Sequence, residues 1–140
     1  MLVRVFLAFQ AIMLLMSVAP GDEPKQCLVT EGGLDDIEVA IEKAASCEKS
    51  METFQACAFA ASGDVQLGEA VIRKCESDFL NKLSGSEERT YHQKLKRCWQ
   101  KYRRESGSLY RSFEAMCAAG VAQAYSRRFS KAGDRKRPDK

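Results

Sequence analysis

The feature that most limits what this chain can become is its set of cysteines. Cys27, Cys47, Cys57, Cys75, Cys98 and Cys117 are six in number, and all follow an apolar leader. That leader has Arg4, an apolar run over residues 5–16 and small residues after it, which is the pattern of a secretory signal. The run is short for a membrane span. Ala19-Pro20-Gly21 places the cut before Asp22, so residues 1–21 read as a signal peptide. Export puts the cysteines in an oxidising compartment, where an even count in a small chain reads as three disulfides. Each would add about 2–4 kcal/mol to a modest core, mainly by restricting the unfolded chain.

Apolar periodicity gives the secondary structure. Leu34, Ile37, Ile41 and Ala44 recur at helical spacing, with Asp35, Asp36 and Glu38 in the first turn, where the helix dipole favours acids. A short helical piece follows over residues 51–61. Ser62-Gly63-Asp64 breaks it, with Asp64 as N-cap of the next helix. Leu67, Val71, Cys75, Phe79 and Leu83 then run at i+4 spacing and predict one helix over 65–83, weakened by Gly68 and stopped by Gly85. Tyr91, Leu95, Cys98 and Tyr102 define a helix over 87–105. Ser106-Gly107-Ser108 makes a corner, and a last helix begins at Leu109 and frays near Phe129. No period-two pattern survives. The fold class is all-α: a small disulfide-stapled helical bundle around a central antiparallel helical hairpin, one domain over residues 22–130, with a disordered basic tail over 131–140.

Hairpin symmetry suggests the cysteine partners. Cys75 and Cys98 lie nearly equidistant from a turn centred near residue 86, so they are expected to bond across it. The same reasoning pairs Cys47 with Cys57 and leaves Cys27 for Cys117.

Catalysis finds little support. The single histidine, His92, is six residues from Cys98 and on a different helix face, so it is no base for a thiol and reads as a surface residue. No Gly-x-Ser-x-Gly turn, glycine-rich phosphate loop or close cysteine pair of a zinc knuckle occurs. The expectation is a non-enzyme with no metal or cofactor. Charge is divided instead: residues 22–88 carry 15 acids and 6 bases, residues 89–140 carry 15 bases and 4 acids. Either half can steer a partner of opposite sign.

Four motifs resemble those of one family. They are a cysteine pair in CEKSMETFQAC, the Asp64-Val65-Gln66-Leu67 helix signature, Trp99-Gln100-Lys101-Tyr102-Arg103, and Gly107-Ser108-Leu109-Tyr110 followed by Cys117. In order and approximate spacing, residues 47–117 resemble the N-terminal domain of LprI-type lysozyme inhibitors, small exported helical bacterial proteins. The resemblance implies an exported, periplasmic or secreted protein that blocks the cleft of a lysozyme or related muramidase without chemistry.

Two docking faces follow as expectations. For a basic lysozyme, the acids Asp35, Asp36, Glu38, Glu42, Glu48 and Glu52 form the natural contact. For an anionic envelope polymer or lipid surface, Lys94, Lys96, Arg97, Lys101, Arg103, Arg104 and Arg111, with the tail from Arg127 to Lys140, do so. Trp99, Tyr102, Leu109 and Phe113 are assigned to packing, which with export argues against nucleic acid. A purely structural module that joins another protein is the third reading.

Overall fold

The computed structural model describes residues 26–134, with side chains placed through Lys131. The expected leader, and residues 135–140 of the expected tail, lie outside the described residues. Among the described residues there are five α-helices and no strand: α1 Leu34–Glu42, α2 Cys47–Cys57, α3 Asp64–Glu76, α4 Gly85–Tyr102 and α5 Ser108–Asp134, with a 3-10 turn at Leu80–Lys82. The all-α class holds. No helix among these is long and apolar enough to cross a membrane.

Local chemistry sets the helix starts. The Asp36 carboxylate accepts from the Gly33 N–H at 2.9 Å and closes the first turn of α1. Ser46 caps α2 by accepting from the Lys49 N–H. Ser84 and Glu87 form a reciprocal capping box at α4. Gly85 is therefore the first residue of α4, not the stop of the helix before it. Asp64 is the first residue of α3 rather than its cap, and its carboxylate works backwards. It is fully buried and accepts from the Phe59 N–H at 2.8 Å, the Ala61 N–H at 3.3 Å and the Ser112 hydroxyl at 2.6 Å. One side chain thus ties the α2–α3 loop to α5.

The long helix expected over 65–83 ends at Glu76. The chain then turns through Asp78 and Phe79, whose N–H groups bond to Cys75 and Glu76 carbonyls. The apolar stripe survives this break, because Leu67, Val71, Cys75 and Phe79 are all fully buried. Phe79 anchors an aromatic cluster with Tyr91 (ring centroids 5.1 Å) and Tyr125 (5.4 Å). α5 runs on to Asp134, past the expected fraying at Phe129 and into the segment assigned to the tail.

Two registers organise the bundle. Asp64 meets Ser112, Gly68 meets Ala115 and Asp78 meets Ser126, a near-constant offset, so α3 and α5 run parallel. Gly68 is required there: a Cβ would fall 2.9 Å from the Ala115 Cβ, against close-packed backbone. Across the other seam Glu87 meets Arg128, Tyr91 meets Tyr125, Cys98 meets Cys117 and Tyr102 meets Phe113. Those pairs share a near-constant sum, the signature of an antiparallel pair folded at the Arg103–Gly107 corner. Gly107 makes that turn at φ +108°, a region that favours glycine. α3 sits centrally against α1, α2 and α5, whereas α4 leans on α5.

All six cysteines are bonded, but to other partners than hairpin symmetry suggests: Cys27–Cys57, Cys47–Cys75 and Cys98–Cys117. The expected Cys47–Cys57 bridge fails on geometry. Both residues are the ends of one 11-residue helix, about 15 Å apart at 1.5 Å per residue, far outside disulfide reach. The expected Cys75–Cys98 bridge fails because the break after Glu76 removes the 65–83 helix on which the counting relied. Cys75 faces α2, and Cys98 faces α5. With Cys117 taken by Cys98, Cys27 joins the far end of α2 instead.

Candidate functional site

The charged residues divide sharply into those used inside the fold and those left outside it. On the acidic side, Arg73 of α3 donates to Glu38 at 2.7 Å and to Glu42 at 2.8 Å. Gln66 donates to Asp35 and to Glu38. The Gln66 hydrogen bond, then Arg73, holds the Glu38 carboxyl below its usual range, and Glu42 followed by Glu38 raises Arg73. Asp36 is committed to Gly33. Glu48 accepts from Arg127 at 2.5 and 2.7 Å and from Gln123, which joins α2 to α5 and lowers its pKa, Arg127 first among the causes. Glu52 pairs with Lys49 at 2.8 Å. Of the acids expected to form a docking face, Asp35, Glu38 and Glu42 join α1 to α3 and Glu48 joins α2 to α5, whereas Asp36 and Glu52 bond within their own segments. Arg73 and Gln66, which organise this seam, were not singled out from the sequence. A lone arginine in the acidic half, one helix after the acids, was the available signal.

The basic side divides as well. Arg111 donates to the Tyr102 carbonyl at 2.9 Å and lies 2.7 Å from Glu114, so it pins the corner and does not reach outward. Arg127 and Arg128 are paired with Glu48 and Glu87. α4 differs. Among the described residues, Arg89, Lys94, Lys96, Arg97, Lys101, Arg103 and Arg104 enter no ion pair, and all are exposed. Lys101 lies over the Tyr102 ring at 5.0 Å, and Arg103 over the Trp99 ring at 5.7 Å.

Beside these cations lies apolar surface. Trp99 is 46 % exposed, Leu109 42 % and Phe113 43 %. These were expected as packing. α4 packs mainly on α5, with Tyr91 also reaching Glu76 and Phe79, so its inward stripe is Tyr91, Leu95, Cys98 and Tyr102. Helical rotation places Trp99 on the flank of that stripe, on the same side as Lys96 and Arg103. Tyr102 and Tyr110 are half-buried and support Phe113, with ring centroids 6.0 and 6.1 Å away. The Cys98–Cys117 bridge holds the two helices together behind this corner.

The family-like motif residues therefore separate by role. Asp64 and Leu67 are buried and structural. Trp99, Tyr102, Arg103, Gly107, Ser108 and Tyr110 all fall at the α4–α5 corner. His92 is exposed, 3.7 Å from Glu88. Among the described residues no group of three or more His, Cys, Asp or Glu side chains is placed to hold a metal ion. A groove of about 470 Å³ lies between the N-terminal lead, α1 and α2, lined by Leu28, Ala40, Ala44, Ala56 and Cys57. Its rim ions, Lys49 and Glu52, are already paired with each other. No family model, curated protein or solved structure matches the chain.

Proposed function

We propose that this is an exported, non-enzymatic binding protein whose docking face is the α4–α5 corner and whose partner is an anionic component of the cell envelope. One observation carries the reading: among the described residues Glu38, Glu42, Glu48 and Glu87 are paired with arginines across helix seams, while Arg89, Lys94, Lys96, Arg97, Lys101, Arg103 and Arg104 enter no ion pair and are exposed, the last three at the corner that carries Trp99, Leu109 and Phe113. Unpaired surface cations speed association with an anionic partner, and the effect is screened by salt. Three disulfides and the leader support export.

The exported form, residues 22–140, is expected to be retained on heparin, used as a generic polyanion, and released as salt rises. Passage through the column at low ionic strength discards the reading.

The lysozyme-inhibitor reading rests on the motif resemblance. It gains from the clustering of Trp99, Tyr102, Arg103 and Tyr110 at one exposed corner. A basic lysozyme would meet like charge there, so an acidic partner enzyme suits the corner better. No slowing of cell-wall lysis at a large molar excess of the protein rejects inhibition.

A further inference from the structure

The corner combines two properties that a water-soluble polyanion does not need together. Cations alone suffice for a polymer of phosphates or sulfates. Here three of the six exposed large hydrophobic side chains among the described residues, Trp99, Leu109 and Phe113, sit at the same end of the α4–α5 pair as Lys101, Arg103 and Arg104. Trp99 has Arg103 over its ring, so an indole suited to the headgroup level is held next to a cation suited to phosphate. With no helix among the described residues able to cross a bilayer, contact with lipid would be peripheral.

We infer that the α4–α5 corner seats the protein on an anionic phospholipid surface, with Trp99, Leu109 and Phe113 entering the headgroup boundary and Lys101, Arg103 and Arg104 contacting lipid phosphates. This rests on the docking reading above and names its partner. Phe113 leans on Tyr102 and Tyr110, and the corner is closed by Arg111 and by the Cys98–Cys117 bridge. Trp99, Leu109 and Phe113 are exposed in the folded bundle, so they are available without any unfolding of it.

Trp99 is the only tryptophan, so the native protein reports its own binding. The exported form is titrated with phosphatidylglycerol vesicles and, separately, phosphatidylcholine vesicles, following Trp99 emission and co-sedimentation. The expected result is a shift of emission to shorter wavelength and co-sedimentation with the anionic vesicles only, both weakened by salt. Arg103→Gln/Arg104→Gln should weaken partitioning about 30-fold, at about fivefold per cation near an anionic surface. Leu109→Ser, at an exposed position, should weaken it further with the fold unchanged by circular dichroism. Retention on heparin without any vesicle binding overturns the lipid assignment and leaves the docking reading standing. Failure on both heparin and vesicles overturns both. Equal binding to the two vesicle types overturns the role of the cations.

Discussion

Replacing Asp64 tests how the fold is held at its least obvious point. The carboxylate is fully buried and accepts three hydrogen bonds, from the Phe59 and Ala61 N–H groups and from the Ser112 hydroxyl. In Asp64→Asn, one acceptor oxygen becomes a donor. The best arrangement keeps the oxygen on Phe59 and turns the Ser112 hydroxyl to accept from the new amide. The Ala61 bond is then lost, along with charge assistance in the others. A hydrogen bond to a charged group contributes about 1.5–3 kcal/mol, so a loss of about 2 kcal/mol is expected. Asp64→Ala removes all three acceptances. Water reaches part of the loop, so the cost is about 3–5 kcal/mol rather than the full sum of three unsatisfied donors. That is a large part of the 5–15 kcal/mol typical of a domain. Ser112→Ala removes one donor to the same carboxylate and should cost about 1.5–3 kcal/mol. Chemical denaturation with disulfides intact measures each value. The Asp64→Asn and Ser112→Ala changes should be non-additive in a double-mutant cycle, since they share one contact. Wild-type stability in Asp64→Asn, within about 0.5 kcal/mol, refutes the proposed network.

Non-reducing peptide mapping should recover Cys27–Cys57, Cys47–Cys75 and Cys98–Cys117, and any peptide joining Cys75 to Cys98 contradicts the fold. Cys98→Ser/Cys117→Ser opens a loop spanning 19 residues and should cost about 3 kcal/mol on the chain-entropy account. Acid should also destabilise the protein. Glu38, Glu48 and Glu87 have folded pKa values below 4.5, so the unfolded chain takes up protons first. Their contribution is fully present above about pH 4.5 and is lost as pH falls through the lower folded values. Denaturant midpoints measured from pH 7 to pH 2 should hold steady and then drop, less steeply in high salt because the pairs are exposed. A midpoint that rises on acidification contradicts the seams.

Much of the fold was legible because apolar spacing and breakers are local signals. The stripe of Leu67, Val71, Cys75 and Phe79 is buried as its spacing predicts, and the breaks at Ser62-Gly63, Ser84 and Gly107 all occur. What spacing does not encode is which helix lies against which. The i+4 stripe runs smoothly through the end of α3 at Glu76, so nothing in it announces a turn, and the Cys75–Cys98 pairing that depended on a continuous helix fails, while Cys47–Cys57 fails because α2 is unbroken between them. The candidate site suffered from the same limit. Trp99, Leu109 and Phe113 look like core by residue type, yet all three are exposed, because residue type does not say which flank of a helix finds a neighbour. Glu38 and Glu42 of α1 look like a surface by residue type, and they are paired because Arg73 arrives from a helix about 30 positions later.

The central claim is that the molecule docks through the α4–α5 corner and not through its charge in general. The most direct measurement compares two charge reversals of equal size on heparin. Arg103→Glu/Arg104→Glu alters unpaired cations at the corner, whereas Lys43→Glu/Lys82→Glu alters exposed cations at the end of α1 and in the 3-10 turn. The corner variant is expected to elute at much lower salt than the native protein, while the other variant elutes close to it. Equal displacement of both variants would contradict the claim.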